Sequence, residues 1–154
     1  MVASQPPRTT YLVGRLDRIV RRGLESVLAR HSITVQQYTA LSVLAARPGL
    51  SNAQLARRSL MTPQGMNQAL AALSDAGLVR RVPQPDNRRI LSIELTARGK
   101  AVVKRCDVVV DGFERQLLSR LSARQREELY DTLSLLADVG HDHPPRRANV
   151  RADG

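Results

Sequence analysis

The side chains best suited to recognition chemistry in this sequence share one face of a predicted helix. Four of them follow helical spacing: Gln64, Asn67, Gln68 and Ala71. Glutamine and asparagine amides can pair with both the donor and the acceptor on an adenine edge, and an alanine methyl can contact the methyl group of thymine. The other face carries an apolar stripe of Met66, Leu70 and Leu73. One face is therefore predicted to contact DNA bases, and the other to pack inside the protein.

Capping residues indicate where this helix begins and ends, and where the helix before it begins. Thr62 is a favourable N-cap, Pro63 suits the first helical position, and Gly77 suits the left-handed position that ends a helix. The preceding helix begins at Ser51, which forms a capping-box pattern with Gln54. Two capped helices this close together predict a helix-turn-helix, whose second helix enters the DNA major groove. The predicted DNA contacts also include Ser51, Thr62 and Pro63.

A basic hairpin is predicted directly after the second helix. Apolar residues alternate with polar ones at Leu91, Ile93 and Leu95, which indicates a half-buried strand. The preceding stretch 83–89 contains two prolines, an aspartate and an asparagine, a composition typical of a turn or loop. Arg80, Arg88 and Arg89 flank or occupy that loop, and arginine suits the negative potential of a minor groove. The sequence therefore predicts a winged helix with its wing at residues 80–95.

Three segments of this module resemble motifs of the MarR family of bacterial transcription regulators. They are the Asp86-Asn87-Arg88-Arg89 turn followed by Leu95-Thr96-Ala97-Arg98-Gly99, the stretch Leu73-Ser74-Asp75-Ala76-Gly77-Leu78-Val79, and the stretch Gly49-Leu50-Ser51-Asn52-Ala53-Gln54-Leu55-Ala56. In architecture the resemblance extends from about Tyr11 to Val139. It implies a dimeric winged-helix repressor whose wing arginine enters the minor groove, with Asp86 orienting Arg88.

Length, charge and cysteine content agree with a DNA-binding domain. The 154 residues suit one domain, and the 24 basic against 14 acidic residues give a formal charge of +10, which favours an anionic partner such as double-stranded DNA. Residues 48–100 alone carry eight basic and three acidic side chains. The single cysteine excludes an intrachain disulfide. We found no signal peptide and no apolar run of about 20 residues. These features predict a cytoplasmic, nucleoid-associated protein without membrane contact.

The helices that flank the DNA-binding module predict a homodimer. The predicted fold class is mainly α with a small two- or three-stranded β wing. The chain is predicted to divide into a mobile arm at 1–9, one unit at 10–140 and a disordered tail at 141–154. Within that unit, the DNA-binding lobe is predicted at 34–96, and the dimerisation helices at 10–33 and 97–140. The first helix of the 97–140 segment is predicted to run from the Thr96 cap to about Arg120. Apolar stripes on these helices predict the dimer interface: Leu12, Leu16, Phe113, Leu117, Leu129, Leu133 and Leu136.

Regulation by a small aromatic or phenolic ligand is what the resemblance implies. Four residues near the junction of the first two helices are the ligand-binding candidates: Tyr11, Arg15, His31 and Tyr38. A carboxylate ligand needs a cation and a hydroxyl donor, although an ordinary structural role explains each of these residues as well. Cys106 leaves open a redox-sensing regulator, and it is equally typical of a small apolar core residue.

Other classes of function find less support in the sequence. The chain has no glycine-rich phosphate loop, no metal-binding histidine pair on a helix and no nucleophile motif, so we predict no enzymatic activity and no cofactor. His141 and His143 lack a rigid scaffold and a fourth ligand, so no metal site is predicted. A winged-helix module that contacts proteins, or that compacts DNA without sequence preference, remains an alternative to the sequence-specific regulator.

Overall fold

Residues 7–137 are described by the computed structural model, and they form a mainly helical fold with one small sheet. The elements, in order, are α1 (Thr9–Ala29), α2 (Val35–Ala46), β1 (Leu50–Ser51), α3 (Asn52–Arg58), α4 (Pro63–Asp75), β2 (Val79–Pro83), β3 (Leu91–Leu95), α5 (Ala97–Leu117) and α6 (Ala123–Ala137). The predicted arm was one residue too long, because Thr9 already lies in α1. The remainder of the arm before residue 7, the end of the unit at 138–140 and the tail at 141–154 lie outside the described residues.

Local capping explains why the helices begin and end where they do. The hydroxyl oxygens of Ser51, Thr62 and Thr96 accept hydrogen bonds from backbone N–H groups three residues later, as the sequence predicted. Gly77 has a φ of +69°. Its N–H donates to the carbonyl of Ser74, and the N–H of Leu78 donates to the carbonyl of Leu73. This is a Schellman ending, which satisfies carbonyls at the end of α4 and turns the chain into β2.

The sheet is antiparallel, with β3 between β1 and β2. The predicted alternation along β3 holds at Ile93, which is 2% exposed, but fails at its first two residues. Leu91 is exposed and Ser92 is buried, because Leu91 pairs with Pro83 at the far end of the hairpin while Ser92 lies between both neighbouring strands. The Ser92 hydroxyl donates to the Val82 carbonyl at 3.1 Å, which satisfies a polar group that the core would otherwise penalise.

One hydrophobic core joins the predicted DNA-binding lobe, residues 34–96, to the end of α1 and the first half of α5. Its fully buried side chains come from six elements: Leu28, Leu41, Leu44, Leu55, Met66, Leu70, Leu73, Ile93 and Cys106. A polar contact reinforces the junction, since the Tyr38 hydroxyl on α2 donates to the Asp107 carboxylate on α5 at 2.7 Å. The lobe is therefore connected to the long helix by both apolar packing and a charge-assisted hydrogen bond.

The end of α5 and the helix after it differ in detail from the prediction. The helix ends at Leu117, three residues before the predicted Arg120. The Arg126 side chain donates to the carbonyls of Leu118 and Leu121, which stabilises the turn into α6. Phe113 was predicted only at a dimer interface, but its ring lies over Gly23 of the same chain, where an added Cβ would come within 2.0 Å of the ring.

α6 contributes little to this core. None of its residues is buried, and Leu133, Leu135 and Leu136 are 45%, 78% and 65% exposed. α1 likewise exposes Leu12 and Leu16, together with its neighbours Tyr11 and Val13. None of the helices within residues 7–137 has the length and apolar character needed to cross a bilayer.

Candidate nucleic-acid interface

The outer face of α4 is built as the sequence predicted. Gln64, Asn67, Gln68 and Ala71 are all exposed. Met66, Leu70 and Leu73 on the inner face are 0%, 2% and 1% exposed. Thr62 and Pro63 are exposed at the start of the helix and Ser51 is partly exposed at the start of α3. The apolar stripe thus anchors α4 in the core and leaves uncharged amides pointing outward, which is the amphipathic arrangement of a base-reading helix.

A side-chain contact between α3 and α4 was not predicted from the sequence. The Nδ2 amide of Asn52, the first residue of α3, donates to the Oδ1 carbonyl of Asn67 on α4. The two residues are fifteen positions apart, so no local pattern could have indicated the contact. It depends on the crossing of the two helices, which only the folded lobe defines.

The wing ends in a compact turn with exposed arginines. The Asn87 side-chain oxygen accepts from the Arg89 N–H at 3.1 Å, and the Asn87 carbonyl accepts from the Ile90 N–H at 2.9 Å. Arg88 and Arg89 are exposed, and within residues 7–137 no ion pair joins Arg88 to Asp86. The orienting role of Asp86 therefore stays a prediction, and the turn is ordered by the hydrogen bonds of Asn87.

Arg80 is placed differently from Arg88 and Arg89. It lies opposite Glu94 in the β2–β3 ladder, and its guanidinium contacts that carboxylate at 2.9 Å. The pair is largely exposed, at 66% and 35% of the two side chains, so it contributes little to stability. It does partly neutralise Arg80, and a DNA phosphate would have to compete with Glu94 for the same donors. This weakens the prediction that Arg80 contacts DNA, whereas Arg88 and Arg89 form no ion pair within residues 7–137.

The four candidate ligand residues lie outside two clefts on the described surface. These clefts, of about 320 and 330 Å³, are lined by residues of α2, α3 and α4, by the N-cap residue Thr34 and by Met61, and none of the four candidates lines either cleft. Tyr11 is 55% exposed on α1, Arg15 is exposed on the same helix, and His31 is half-buried in the turn after it. The Tyr38 hydroxyl already donates a hydrogen bond to the Asp107 carboxylate, so it helps to hold α2 against α5.

Cys106 has the environment of a packing residue. Its side chain is fully buried in the core, and burial, followed by the charge of Asp107, raises the pKa of the thiol above its ordinary value of 9.0. The positive charge of Arg105 acts in the opposite direction, but it is the smallest of the three effects. Because the thiolate is the reactive form, the geometry opposes the redox-sensing alternative. Among residues 7–137, we also found no cluster of three metal-ligating side chains.

Comparisons with known proteins connect this geometry to a family. A family model described as "MarR family" matches residues 31–90. The chain is 38% identical over 126 residues to the HTH-type transcriptional repressor Rv2887 of Mycobacterium tuberculosis, covering 82% of this chain and 91% of the relative. Crystal structures of Rv2887 superpose on it at 36% identity: the complex with DNA has a TM-score of 0.73 and covers 85% of this chain and 98% of the other. The complex with salicylic acid has a TM-score of 0.71 and covers 87% and 99%.

Proposed function

This chain belongs to the MarR family of winged helix-turn-helix proteins, and we propose that it is a dimeric, sequence-specific transcriptional repressor. The single observation that carries the proposal is the outer face of α4. Gln64, Asn67 and Gln68 are exposed there on a helix whose other face is locked into the core. Uncharged amides discriminate between base edges, whereas a surface for non-specific DNA binding needs only positive charge. In this role the protein acts in the cytoplasm, at the nucleoid.

The wing supplies the complementary contact. Arg88 and Arg89 lie at the tip of a hairpin that follows α4 directly. We assign them to the minor groove beside the α4 site, where narrow A·T-rich stretches concentrate negative potential. α4 would supply most of the sequence discrimination, and the wing would supply affinity and the dependence on salt.

The proposal includes a two-fold dimer formed by α1, α5 and α6. The apolar side chains Leu12, Leu16, Leu133 and Leu136 are between 39% and 65% exposed in the single chain, and Leu117 and Leu129 are half-buried. A second copy would remove this apolar surface from water, which is the main source of free energy for stable association. A symmetric dimer presents two copies of α4, and it reads pseudo-palindromic DNA with half-sites about one helical turn apart.

A small aromatic acid is the proposed effector. The relative Rv2887 has been crystallised with salicylic acid, and in this chain Arg15 is the proposed partner of a ligand carboxylate and His31 a proposed hydrogen-bond donor. Because the two residues lie about 20 Å apart along the continuous helix α1, one site would use both only where each copy of the dimer supplies one of them. Tyr11 and Tyr38 complete the proposed contact set, with Tyr38 acting through its ring because its hydroxyl is bonded to Asp107. Ligand binding would alter the spacing of the two α4 helices and thereby weaken operator binding, and the same coupling energy would make DNA weaken ligand binding.

Substitution of Gln68 tests the base-reading role. We expect Gln68→Ala to weaken binding to a selected operator by about 1–3 kcal/mol while affinity for random DNA stays nearly unchanged. Gln116→Ala is the matched control, because it removes the same amide from an exposed position on α5 outside the DNA-binding lobe. Equal losses on operator and random DNA, or the same operator loss in the control, would contradict the proposal and favour a module that binds DNA without sequence preference.

A further inference from the structure

The contact between Asn52 and Asn67 fixes which end of the Asn67 amide faces outward. A primary amide has one carbonyl oxygen, which accepts hydrogen bonds, and one NH₂ group, which donates two. The Asn67 carbonyl accepts from the Asn52 amide, so it is the NH₂ group of Asn67 that remains for a ligand. Asn67 is exposed on the same face of α4 as Gln68.

The surroundings of Asn52 favour this orientation over the reversed one. Asn52 is partly buried at the first position of α3, and its own carbonyl oxygen is buried without a hydrogen-bond partner among residues 7–137. Rotating the Asn52 amide by 180° would bury the NH₂ group there instead. Two unsatisfied donors would then replace one unsatisfied acceptor, and each unsatisfied buried polar group is costly. Asn52 is therefore held as a donor toward Asn67.

We propose that Asn52 is a positioning residue for base recognition, which holds the Asn67 carbonyl and so makes Asn67 a pure hydrogen-bond donor toward DNA. The proposal rests on the base-reading role of α4 argued above. Asn52 itself does not contact a base in this account. It acts through Asn67, and it determines which class of base edge Asn67 accepts.

A side chain that can only donate hydrogen bonds prefers the bases that present acceptors. In the major groove guanine presents two acceptors, O6 and N7, thymine and adenine present one each, and the cytosine edge presents only the N4 donor. Asn67 therefore favours guanine and rejects cytosine. It also loses the bidentate adenine contact that an unrestrained asparagine makes, because that contact needs the carbonyl. Gln68 makes no side-chain hydrogen bond within residues 7–137, so it keeps both groups and can read adenine. Neighbouring positions of one helix thus read different edges.

Selection from a randomised DNA duplex pool, followed by sequencing, tests the inference with the full-length protein. The selection is run first with the Asn67→Ala protein. The operator position at which its base preference disappears is the position that Asn67 reads. The wild type is expected to enrich guanine there. Asn52→Ala releases the Asn67 carbonyl, so the preference is expected to move from guanine toward adenine by about tenfold.

Two further variants reverse the hydrogen-bonding polarity. Asn52→Asp offers only acceptors, so Asn67 must turn its NH₂ group inward and present its carbonyl to the DNA. Asn67→Asp presents an acceptor directly and leaves Asn52 unchanged. Both are expected to enrich cytosine or adenine at that position, since these bases present donors. Their added negative charge weakens binding to every sequence alike and does not alter the ranking of the four bases. Circular dichroism checks that each variant is folded, and the Asn52→Ala protein decides the outcome if Asn52→Asp fails to fold.

The outcomes separate this inference from the proposed function. An unchanged guanine preference in Asn52→Ala would overturn the positioning role while leaving the regulator intact. So would an Asn67→Ala profile that matches the wild type at every position. A wild-type selection that enriches no sequence would overturn the proposed function and, with it, the inference.

Discussion

The backbone of α5 closely approaches the segment that leads into the wing at Gly99. A Cβ atom added there would lie 2.0 Å from the Leu78 carbonyl oxygen and 3.0 Å from its carbon. Both are backbone atoms, so no side chain can move aside to make room. The same Leu78 oxygen accepts from the Thr96 N–H at 3.0 Å, and the Thr96 hydroxyl donates to the Gly77 carbonyl at 2.7 Å. Gly99→Ala must therefore separate α5 from the segment that leads into the wing.

The expected cost follows from these contacts. A separation of about 1 Å weakens two hydrogen bonds of about 1 kcal/mol each, and the overpacking itself costs about 1–3 kcal/mol. Alanine returns about 1 kcal/mol through its higher helix propensity. We expect Gly99→Ala to lower the free energy of unfolding by about 2–4 kcal/mol. Gly112→Ala on the same helix is the matched control, because its added Cβ meets only the tip of Arg115 at 3.8 Å; we expect it to be neutral or stabilising by up to about 1 kcal/mol.

The assay is denaturation by urea, followed by circular dichroism. All proteins are compared at one fixed concentration, because the stability of a dimer depends on concentration. Wild type and Gly112→Ala are expected to unfold at similar urea concentrations, and Gly99→Ala at a clearly lower one. Coincident midpoints for Gly99→Ala and Gly112→Ala would refute the reasoning that the backbone approach at Leu78 constrains the wing.

Four further predictions concern the wing, the helix-turn-helix turn and the thiol. Arg88→Ala is expected to make the plot of log affinity against log salt shallower by about 1 per wing, and an unchanged slope would remove Arg88 from the contacts. Asp86→Ala removes a negative charge, so a weaker affinity, rather than a stronger one, would support its orienting role. Leu60 is 86% exposed at a φ of +53°, so Leu60→Gly is expected to stabilise the protein by about 1 kcal/mol; a lower melting temperature would contradict this. Burial raises the pKa of the Cys106 thiol above 9.0, so iodoacetamide is expected to label the native thiol far more slowly at pH 7 than the unfolded thiol. Because the unfolded thiol loses its proton at a lower pH than the native one, the contribution of Cys106 to stability is expected to fall only as the pH rises above 9. Fast native labelling at pH 7 would restore the redox alternative.

The parts of the fold that the sequence predicted are those with local causes. Ser51, Thr62 and Thr96 cap their helices through bonds that span three residues, and Gly77 ends α4 through its own backbone freedom. The apolar stripe of α4 depends only on helical period. For the same reason the exposure of the opposite face of α4 could be derived from the sequence.

The features that the sequence did not predict depend on which elements meet in space. Tyr38 and Asp107 are 69 positions apart, and nothing near either residue indicates the other. The pairing of Arg80 with Glu94 depends on strand register, and the burial of Ser92 depends on the third strand, β1. Phe113 has the spacing of an interface residue, and only the crossing of α1 and α5 shows that its ring covers Gly23. Periodicity identifies a buried face, but it does not identify the surface that covers it.

A competition titration tests the central claim most directly. The full-length protein would be bound to the duplex most enriched from a randomised pool and titrated, at near-physiological salt, with a scrambled duplex of the same length and composition. A sequence-specific regulator is expected to prefer the enriched duplex by about 10³ or more. A ratio near one would contradict the account, because it would mean that the exposed amides of α4 do not discriminate between bases.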